Sequence, residues 1–201
     1  VHICHVSAAG SVEAVRQGKA RGARVTCETC PQYFTLTEDA VLEKGSLARV
    51  NPPLRTPKDV AAIREGLMDG TIDAIVTDHA PHSAEEKALP LTQAPSGMVG
   101  LETSLALSLT GLYHAGFLTL SQVIEKMSAA PAAVLGLGET MGALAIGRRA
   151  DLVLFDPDET WTIDPAQFAS KGRNTPFGGC VVRGRVKYTI SKGKIIYRQE
   201  G

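Results

Sequence analysis

The chain has 201 residues and a mass of 21.3 kDa, and 44% of its residues are hydrophobic and 21% charged. This is the composition of an ordinary globular protein, which excludes disordered and collagen-like classes. Lys plus Arg and Asp plus Glu number 21 each, so no net charge attracts nucleic acid or an anionic membrane. No window approaches the ~18 consecutive apolar residues of a membrane-spanning helix. We expect a soluble, cytoplasmic protein.

The first residues already have the apolar pattern of a buried strand, without an initiator Met or a polar run-in. We therefore expect this chain to be the later part of a longer protein. Up to about residue 136, short apolar segments alternate with amphipathic ones, which predicts βα units and a parallel sheet. The predicted strands are residues 1–6, 24–28 and 71–77.

Four residues are placed to cap helices in this part of the chain: Ser11, Thr37, Thr56 and Ser121. Residues 78–100 form a connection longer than most loops, which favours a lid or a binding loop. Beyond residue 142, short strands separated by Gly-containing turns dominate. These strands are predicted at 151–155, 179–182, 186–190 and 194–197. We therefore divide the chain into an α/β part, residues 1–141, and a small antiparallel β domain, residues 142–201.

Cys27 and Cys30 have the CxxC spacing of a redox pair or of half a zinc site. The chain has four cysteines, far below the density of a disulfide scaffold, and no second CxxC. Pro31 closes the strand-like run that contains them. We interpret both cysteines as structural.

Residues 171–198 contain eight basic residues and no acidic one. Such a run could form a nucleic-acid surface. Few aromatic residues interleave with it, however, and Lys and Arg on exposed strand faces commonly prevent edge-to-edge aggregation. We favour the second interpretation and expect no nucleic-acid partner.

Two histidines lie in the first predicted strand. His2 and His5 are three residues apart, so on a strand they face opposite ways. His5 is nearer the carboxyl end, where a parallel α/β barrel places its active site, and is the better candidate for a metal ligand. His2 is better suited to packing or to supporting a ligand. A core histidine that binds nothing is the alternative.

A denser polar cluster follows the third predicted strand and contains Asp78 and His82. Strand alternation places Asp78 on the same face as Ala74 and Val76, where a carboxylate is costly unless it is paired or binds a metal. Such a group can hold a metal ion and carry a proton. His82 could meet a substrate anion from the following turn. The alternative is an Asp that caps the next loop, followed by surface histidines.

Two loop segments carry candidate substrate contacts. Asn51 precedes two prolines that form a rigid extended segment, and it can present its amide to a ring amide. A plain turn residue is the alternative there. Ser96 and Gly97, in the long loop after Asp78, can offer backbone N–H groups to a ligand.

Taken in order, these motifs resemble the later part of the amidohydrolase superfamily and, within it, the class I dihydroorotases. The resemblance covers essentially the whole chain. It is carried by residues 2–7 (HICHVS), 51–56 (NPPLRT), 73–82 (DAIVTDHAPH), 100–103 (GLET), 150–152 (ADL) and 170–177 (SKGRNTPF).

The resemblance implies the C-terminal part of a (β/α)8 TIM-type barrel, about its last three βα units, together with a small antiparallel β domain. It also implies a zinc site with two ions in the complete enzyme. His5 would be a ligand of the second zinc ion. Asp78 would bind the first zinc ion and act as the general acid and base.

By the same resemblance, Asn51, His82, Ser96 and Gly97 would contact the substrate, with His82 near its carboxylate. The implied reaction is the reversible cyclisation of N-carbamoyl-L-aspartate to L-dihydroorotate, a step of pyrimidine synthesis. The partner is thus a small-molecule substrate, and the resemblance implies a homo-oligomer.

Two alternatives stay open. Residues 28–33 (ETCPQY) are closer to hydantoinases and allantoinases, which open other cyclic amides. The second alternative is a non-catalytic, dihydroorotase-like structural domain.

The resemblance places further metal ligands before Val1, namely a His-x-His pair, a bridging carboxylate or carbamylated Lys, and another His. For the isolated 201-residue chain we expect no activity, because a catalytic zinc ion needs three protein ligands.

Overall fold

The computed structural model describes residues 1–199 and contains a three-stranded parallel sheet in the order β1-β2-β3. Its strands are β1 His2–Ile3, β2 Thr26–Thr29 and β3 Ala74–Ile75. Parallel neighbours need long crossover connections, and here these are helical. In the register, Ile3 lies opposite Cys27 and Glu28 lies opposite Ala74. The predicted α/β organisation is confirmed.

Helices occupy the connections and the region after the sheet. They are α1 Ala9–Ala20, α2 Pro31–Thr35, α3 Asp39–Lys44, α4 Pro57–Met68, α5 Ala84–Lys87, α6 Ser104–Ser108, α7 Leu120–Ile124 and α8 Ala130–Val134. A π-helical turn, Leu109–Tyr113, continues α6, and another, Glu125–Ala129, joins α7 to α8. Among residues 1–199, no helix combines the length and the apolar character needed to cross a membrane.

The strands of the parallel sheet are shorter than predicted. The backbone is left-handed at His5, with φ of 56°, and at Asp78, with φ of 49°. These turns lead the chain out of the sheet soon after β1 and β3. Pro31 opens α2 rather than merely closing a strand.

Helix caps decide where two of the helices begin. Thr56 caps α4 as predicted, because its hydroxyl accepts the N–H of Asp59 while the Asp59 carboxylate accepts the N–H of Thr56. The prediction that Ser121 caps a helix is wrong. Thr119 caps α7 instead, since Gln122 completes a capping box with it.

The caps predicted at Ser11 and Thr37 are also wrong, because α1 begins at Ala9 and α3 has Glu38 at its N-cap position with no side chain that caps it. The N–H of Ala9 donates to a carboxylate oxygen of Asp59 at 2.8 Å. A side chain at the start of α4 therefore takes the place of a local cap on α1.

The second sheet is antiparallel, with the order β4-β5-β6. Its strands are β4 Leu152–Thr162, β5 Val181–Ser191 and β6 Lys194–Arg198. The two strands predicted at 179–182 and 186–190 form one strand, β5. Gly184 lies inside it with φ of 100°, and a Cβ there would lie 2.3 Å from Leu109 Cδ1, so glycine allows β5 to pack closely on the helical region.

Several basic residues of the 171–198 run contact other side chains of the same sheet. The Arg185 guanidinium lies 4.2 Å from the centre of the Trp161 ring, and Lys187 forms an ion pair with Glu159. These contacts favour the interpretation of the run as part of the sheet's own surface.

One hydrophobic cluster joins the two parts of the chain. Tyr33 and Met98 from the first part are buried together with Ile163, Phe177 and Val182 from the second. The boundary between residues 1–141 and 142–201 stays a prediction, but residues on both sides of it share a core.

Candidate active site

His5 and Asp78 face each other beyond the carboxyl ends of β1 and β3. The distance from His5 Nε2 to Asp78 Oδ1 is 3.5 Å, and the two side chains are 29% and 27% exposed. Both residues have the left-handed backbone described above. Non-glycine residues rarely adopt this conformation, and such strain is concentrated at functional sites.

Glu28, at the end of β2, connects the two histidines. Its Oε1 lies 3.2 Å from His5 Nδ1, and its Oε2 lies 3.0 Å from His2 Nε2. His2 Nδ1 lies 2.8 Å from Thr26 Oγ1. The expectation that His2 and His5 face opposite ways is wrong, because β1 ends at Ile3 and the left-handed turn at His5 returns its ring toward Glu28.

The donor set at His5 and Asp78 suits a zinc ion. With Glu28 at His5 Nδ1, the other ring nitrogen remains directed at the Asp78 carboxylate. Their 3.5 Å separation is long for a hydrogen bond, so the imidazole nitrogen and the carboxylate are both left available as metal ligands. A carboxylate on the far nitrogen of a ligand histidine is the usual support at metal centres.

Charged and buried groups surround this pair. Burial raises the pKa of Asp78, His5 opposes the shift, and the nearby Glu28 carboxylate adds to it. Burial also raises the pKa of the Cys30 thiol, whose Sγ lies 3.6 Å from His5 Nδ1, and the Asp78 and Glu28 carboxylates add to that effect. Cys30 is therefore a neutral thiol beside the imidazole.

Cys27 lies in a different environment from Cys30. Its thiol donates to the carbonyl oxygen of Thr71 at 3.3 Å, and burial raises its pKa to about 11. Redox and metal-binding cysteines need accessible thiolates, so these observations support the structural interpretation of the CxxC spacing.

The structure brings the predicted substrate contacts His82 and Ser96 together. His82 Nε2 lies 3.1 Å from the Ser96 carbonyl oxygen. A carbonyl oxygen only accepts hydrogen bonds, so Nε2 carries the proton and donates it. His82 Nδ1 faces Glu86 at 3.7 Å.

Gly97 is adjacent, but its N–H donates to the carbonyl oxygen of Arg49 at 2.8 Å. The expectation that this N–H is offered to a ligand is therefore wrong for this conformation, since the loop uses it internally. The same bond brings the loop next to the segment that leads to Asn51, which is exposed. Tyr33 fixes that segment by donating from its hydroxyl to the Pro52 carbonyl oxygen at 2.8 Å.

His79 does not join this group. Its Nδ1 accepts the N–H of Gly100 at 3.1 Å and that of Leu101 at 3.4 Å. Its side chain lines a separate cavity of about 700 Å³, together with Trp161 and Phe168. His79 thus helps to anchor the turn after Asp78.

Comparisons with known proteins agree with this arrangement. A sequence profile of the amidohydrolase family matches residues 1–196. A dihydroorotase of Pelotomaculum thermopropionicum is 54% identical over 196 residues, covering 98% of this chain and 45% of that protein. A dihydroorotase of Acetivibrio thermocellus is 49% identical over 200 residues, covering 100% of this chain and 46% of that protein. The chain thus spans about half the length of these curated relatives.

The chain is also similar to solved structures of hydantoinases and dihydropyrimidinases. An L-hydantoinase (dihydropyrimidinase) from Arthrobacter aurescens superposes with a TM-score of 0.94 at 33% identity, covering 100% of this chain and 45% of that one. A dihydropyrimidinase from Brevibacillus agri superposes with a TM-score of 0.92 at 28% identity, covering 98% and 44%.

Proposed function

Because this chain belongs to the amidohydrolase family, we propose that the whole protein is a zinc-dependent dihydroorotase. It would interconvert N-carbamoyl-L-aspartate and L-dihydroorotate in pyrimidine synthesis. The observation that carries the proposal is the 54% identity to a dihydroorotase over 98% of this chain. The convergence of His5, Glu28 and Asp78 at the strand ends supports it.

The proposal extends to the architecture. We infer that residues 1–141 supply about the last three βα units of a (β/α)8 barrel and that residues 142–201 form a small β domain. Support comes from the parallel order β1-β2-β3 with helical connections and from the match to 45% of a hydantoinase chain. Functional groups of such barrels lie at the carboxyl ends of the strands, where His5 and Asp78 are found. We also propose that the whole protein is a cytoplasmic homo-oligomer.

In this enzyme, His5 and Asp78 would help to hold a zinc centre with two ions. Zinc would supply Lewis acidity at the ring carbonyl. Asp78 would accept a proton from the attacking water and pass it to the ring nitrogen that leaves. In ring closure, Asp78 would carry the proton in the opposite direction.

Substrate recognition would fall to Asn51, His82 and the Ser96–Gly97 loop. His82 donates its Nε2–H to Ser96 and directs Nδ1 toward Glu86, 3.7 Å away, so a substrate carboxylate bound at Nδ1 would take the place of Glu86.

The direct test uses Asp78→Asn in the intact protein. We expect kcat for dihydroorotate to fall by roughly 10²–10⁴-fold or more, because the proton acceptor and an anionic zinc ligand are both lost while the shape of the side chain is kept. Circular dichroism should show an unchanged fold. Asp39→Asn, the same change at an exposed position of α3, is the matched control and should leave kcat unchanged. Retained turnover by Asp78→Asn would contradict the role of Asp78.

A hydantoinase or allantoinase activity is the second candidate, favoured by the structural similarity to an L-hydantoinase. Assays of the intact protein on dihydroorotate, hydantoin and allantoin separate the two. A dihydroorotase should prefer dihydroorotate and lose that preference in His82→Ala, because hydantoin and allantoin carry no carboxylate for His82. Preference for either of the other rings would favour the second candidate.

A further inference from the structure

The carbonyl oxygen of Gly97 is bound by two buried side chains from distant parts of the chain. Asn174 Nδ2 donates to it at 3.1 Å and Lys87 Nζ at 3.0 Å. Asn174 is 4% exposed and Lys87 5% exposed. Buried donors are costly unless they are used, so two of them on one carbonyl oxygen mark it as a fixed point of the loop.

Asn174 also binds the turn that carries His82. Its Nδ2 donates to the carbonyl oxygen of Ala80 at 3.0 Å, and its Oδ1 accepts the N–H of His82 at 2.9 Å. One side-chain amide therefore connects two loops with both its donors and its acceptor. Gly172 lets this segment approach closely, because a Cβ there would lie 2.6 Å from Pro81 Cβ.

Lys87 binds the other end of the same loop. Its Nζ donates to the carbonyl oxygen of Pro95 at 2.9 Å as well as to that of Gly97. Burial lowers the pKa of Lys87, and the positive charge of Arg49 adds to the effect. Burying an ammonium group against carbonyl oxygens rather than a carboxylate costs free energy, which favours a role in shaping the loop.

These contacts hold the two segments that carry proposed substrate contacts, because the carbonyl oxygen of Ser96 in the loop accepts the Nε2–H of His82. We propose that Asn174 and Lys87 are positioning residues that hold the His82 turn and the Ser96–Gly97 loop in the geometry that recognises a carboxylate-bearing ring. The inference rests on the proposed dihydroorotase function for its substrate. The two residues act through the loops and do not touch the reacting atoms.

The test compares Asn174→Asp and Lys87→Met in the intact protein. Asn174→Asp keeps the acceptor for His82 but replaces the donors with an oxygen facing two carbonyl groups. Lys87→Met keeps most of the length of the side chain and removes its hydrogen bonds. Lys58→Met, at an exposed position of α4, is the control for the loss of a lysine.

Hydrogen exchange measured by mass spectrometry reports the loops without any need for turnover. We expect peptides that cover residues 80–99 to exchange about tenfold faster in both variants, while α1 and α4 exchange as in the wild type. Unchanged exchange at residues 80–99 in both variants would overturn the proposal.

Kinetics test the link to the substrate. KM for dihydroorotate should rise about tenfold with a smaller change in kcat, and zinc content should stay constant. In a His82→Ala background, Asn174→Asp should have little further effect on KM, which a general loss of stability would not reproduce. Faster exchange with unchanged KM would overturn the positioning role. If the wild-type protein turns over no dihydroorotate, the proposed function fails, while the exchange comparison still decides whether the two residues hold the loops.

Discussion

His5 and Asp78 combine backbone strain with side chains that can bind a metal. A left-handed conformation at a non-glycine residue costs about 1–3 kcal/mol and persists only when the surroundings enforce it. At His5 the ring is held between Glu28 and Asp78, so the strain and the contacts occur at the same point. The strained turns direct both side chains to one space beyond the sheet.

Glu28 is expected to tune His5 as a metal ligand. Glu28→Gln keeps the shape of the side chain but removes the charge at His5 Nδ1, which lowers the basicity of the other ring nitrogen. We expect the zinc affinity of the intact protein to fall 10–100-fold, a typical loss when such a supporting group is changed. Competition with a chelator measures it.

Glu65→Gln, at an exposed position of α4, provides the comparison for Glu28→Gln and should leave the zinc affinity unchanged. Equal affinities in the wild type and Glu28→Gln would show that Glu28 does not support the ligand.

Sequence reasoning identified His5 and Asp78 because polar residues at the ends of apolar strands are conspicuous. Glu28 did not stand out as a site residue, because it lies inside the CxxC spacing and the run of residues 28–33. The signal was available in principle, since a parallel pairing of the first two strands places a residue near the end of β2 beside the end of β1. Asn174 could not be predicted, because its hydrogen bonds join segments 77 to 94 residues apart in sequence. Lys87 could not be predicted either, because its bonds to Pro95 and Gly97 depend on the folded path of the long loop that contains all three residues.

At the scale of elements, the sequence predicts a helix cap correctly where the residues that form the cap are close in sequence. The Thr56 cap was predicted because threonine, proline and a carboxylate follow one another within four positions. The start of α1 was mispredicted, because its first N–H is bound by Asp59 from another helix. The predicted strands of the parallel sheet are too long for a similar reason, because no local sequence pattern indicates a left-handed turn at a histidine or an aspartate.

The packing of α1 on α4 predicts opposite effects for two glycine substitutions. In Gly66→Ala the new Cβ would lie 2.9 Å from Val12 Cγ1 and 3.1 Å from Ile72 Cδ1. Helix propensity alone favours alanine by about 1 kcal/mol, but overpacking costs about 1–3 kcal/mol. We expect the free energy of unfolding to fall by about 1 kcal/mol, as measured by urea denaturation.

Gly18→Ala in α1 is the matched control, because its Cβ would meet Val25 Cγ1 at an ordinary 3.6 Å. It should raise the free energy of unfolding by about 0.5–1 kcal/mol. If Gly66→Ala raised the free energy of unfolding as much as Gly18→Ala does, α1 and α4 would be able to move apart without a loss of stability.

At the scale of the whole molecule, the antiparallel sheet is joined to the parallel part by a common core. Ile163, Phe168 and Phe177 are buried against residues that include Tyr33 and Met98. The segment that carries Phe177 also carries Asn174, so the core fixes the position from which Asn174 reaches the loops. Burial in the second part of the chain thereby contributes to the geometry of the candidate site in the first.

The number of zinc ligands in this part of the protein predicts how the 201-residue chain behaves alone. His5 and Asp78 supply two ligands, and a catalytic zinc ion is held by three protein ligands and a water. We expect the isolated chain to bind no stoichiometric zinc through this pair and to turn over no dihydroorotate, whereas the intact protein does both. Metal analysis after dialysis and a turnover assay measure this, with circular dichroism to verify the fold.

His2, Cys4 and Glu28 place possible ligand atoms within 4.8 Å of one another, so the isolated chain needs a control for chelation by these three residues. Cys4→Ser removes one of their ligand atoms and leaves His5 and Asp78 intact. Zinc that disappears in Cys4→Ser belongs to this group. Stoichiometric zinc that survives the substitution, together with turnover by the isolated chain, would contradict the prediction, because two protein ligands would then suffice for a catalytic centre.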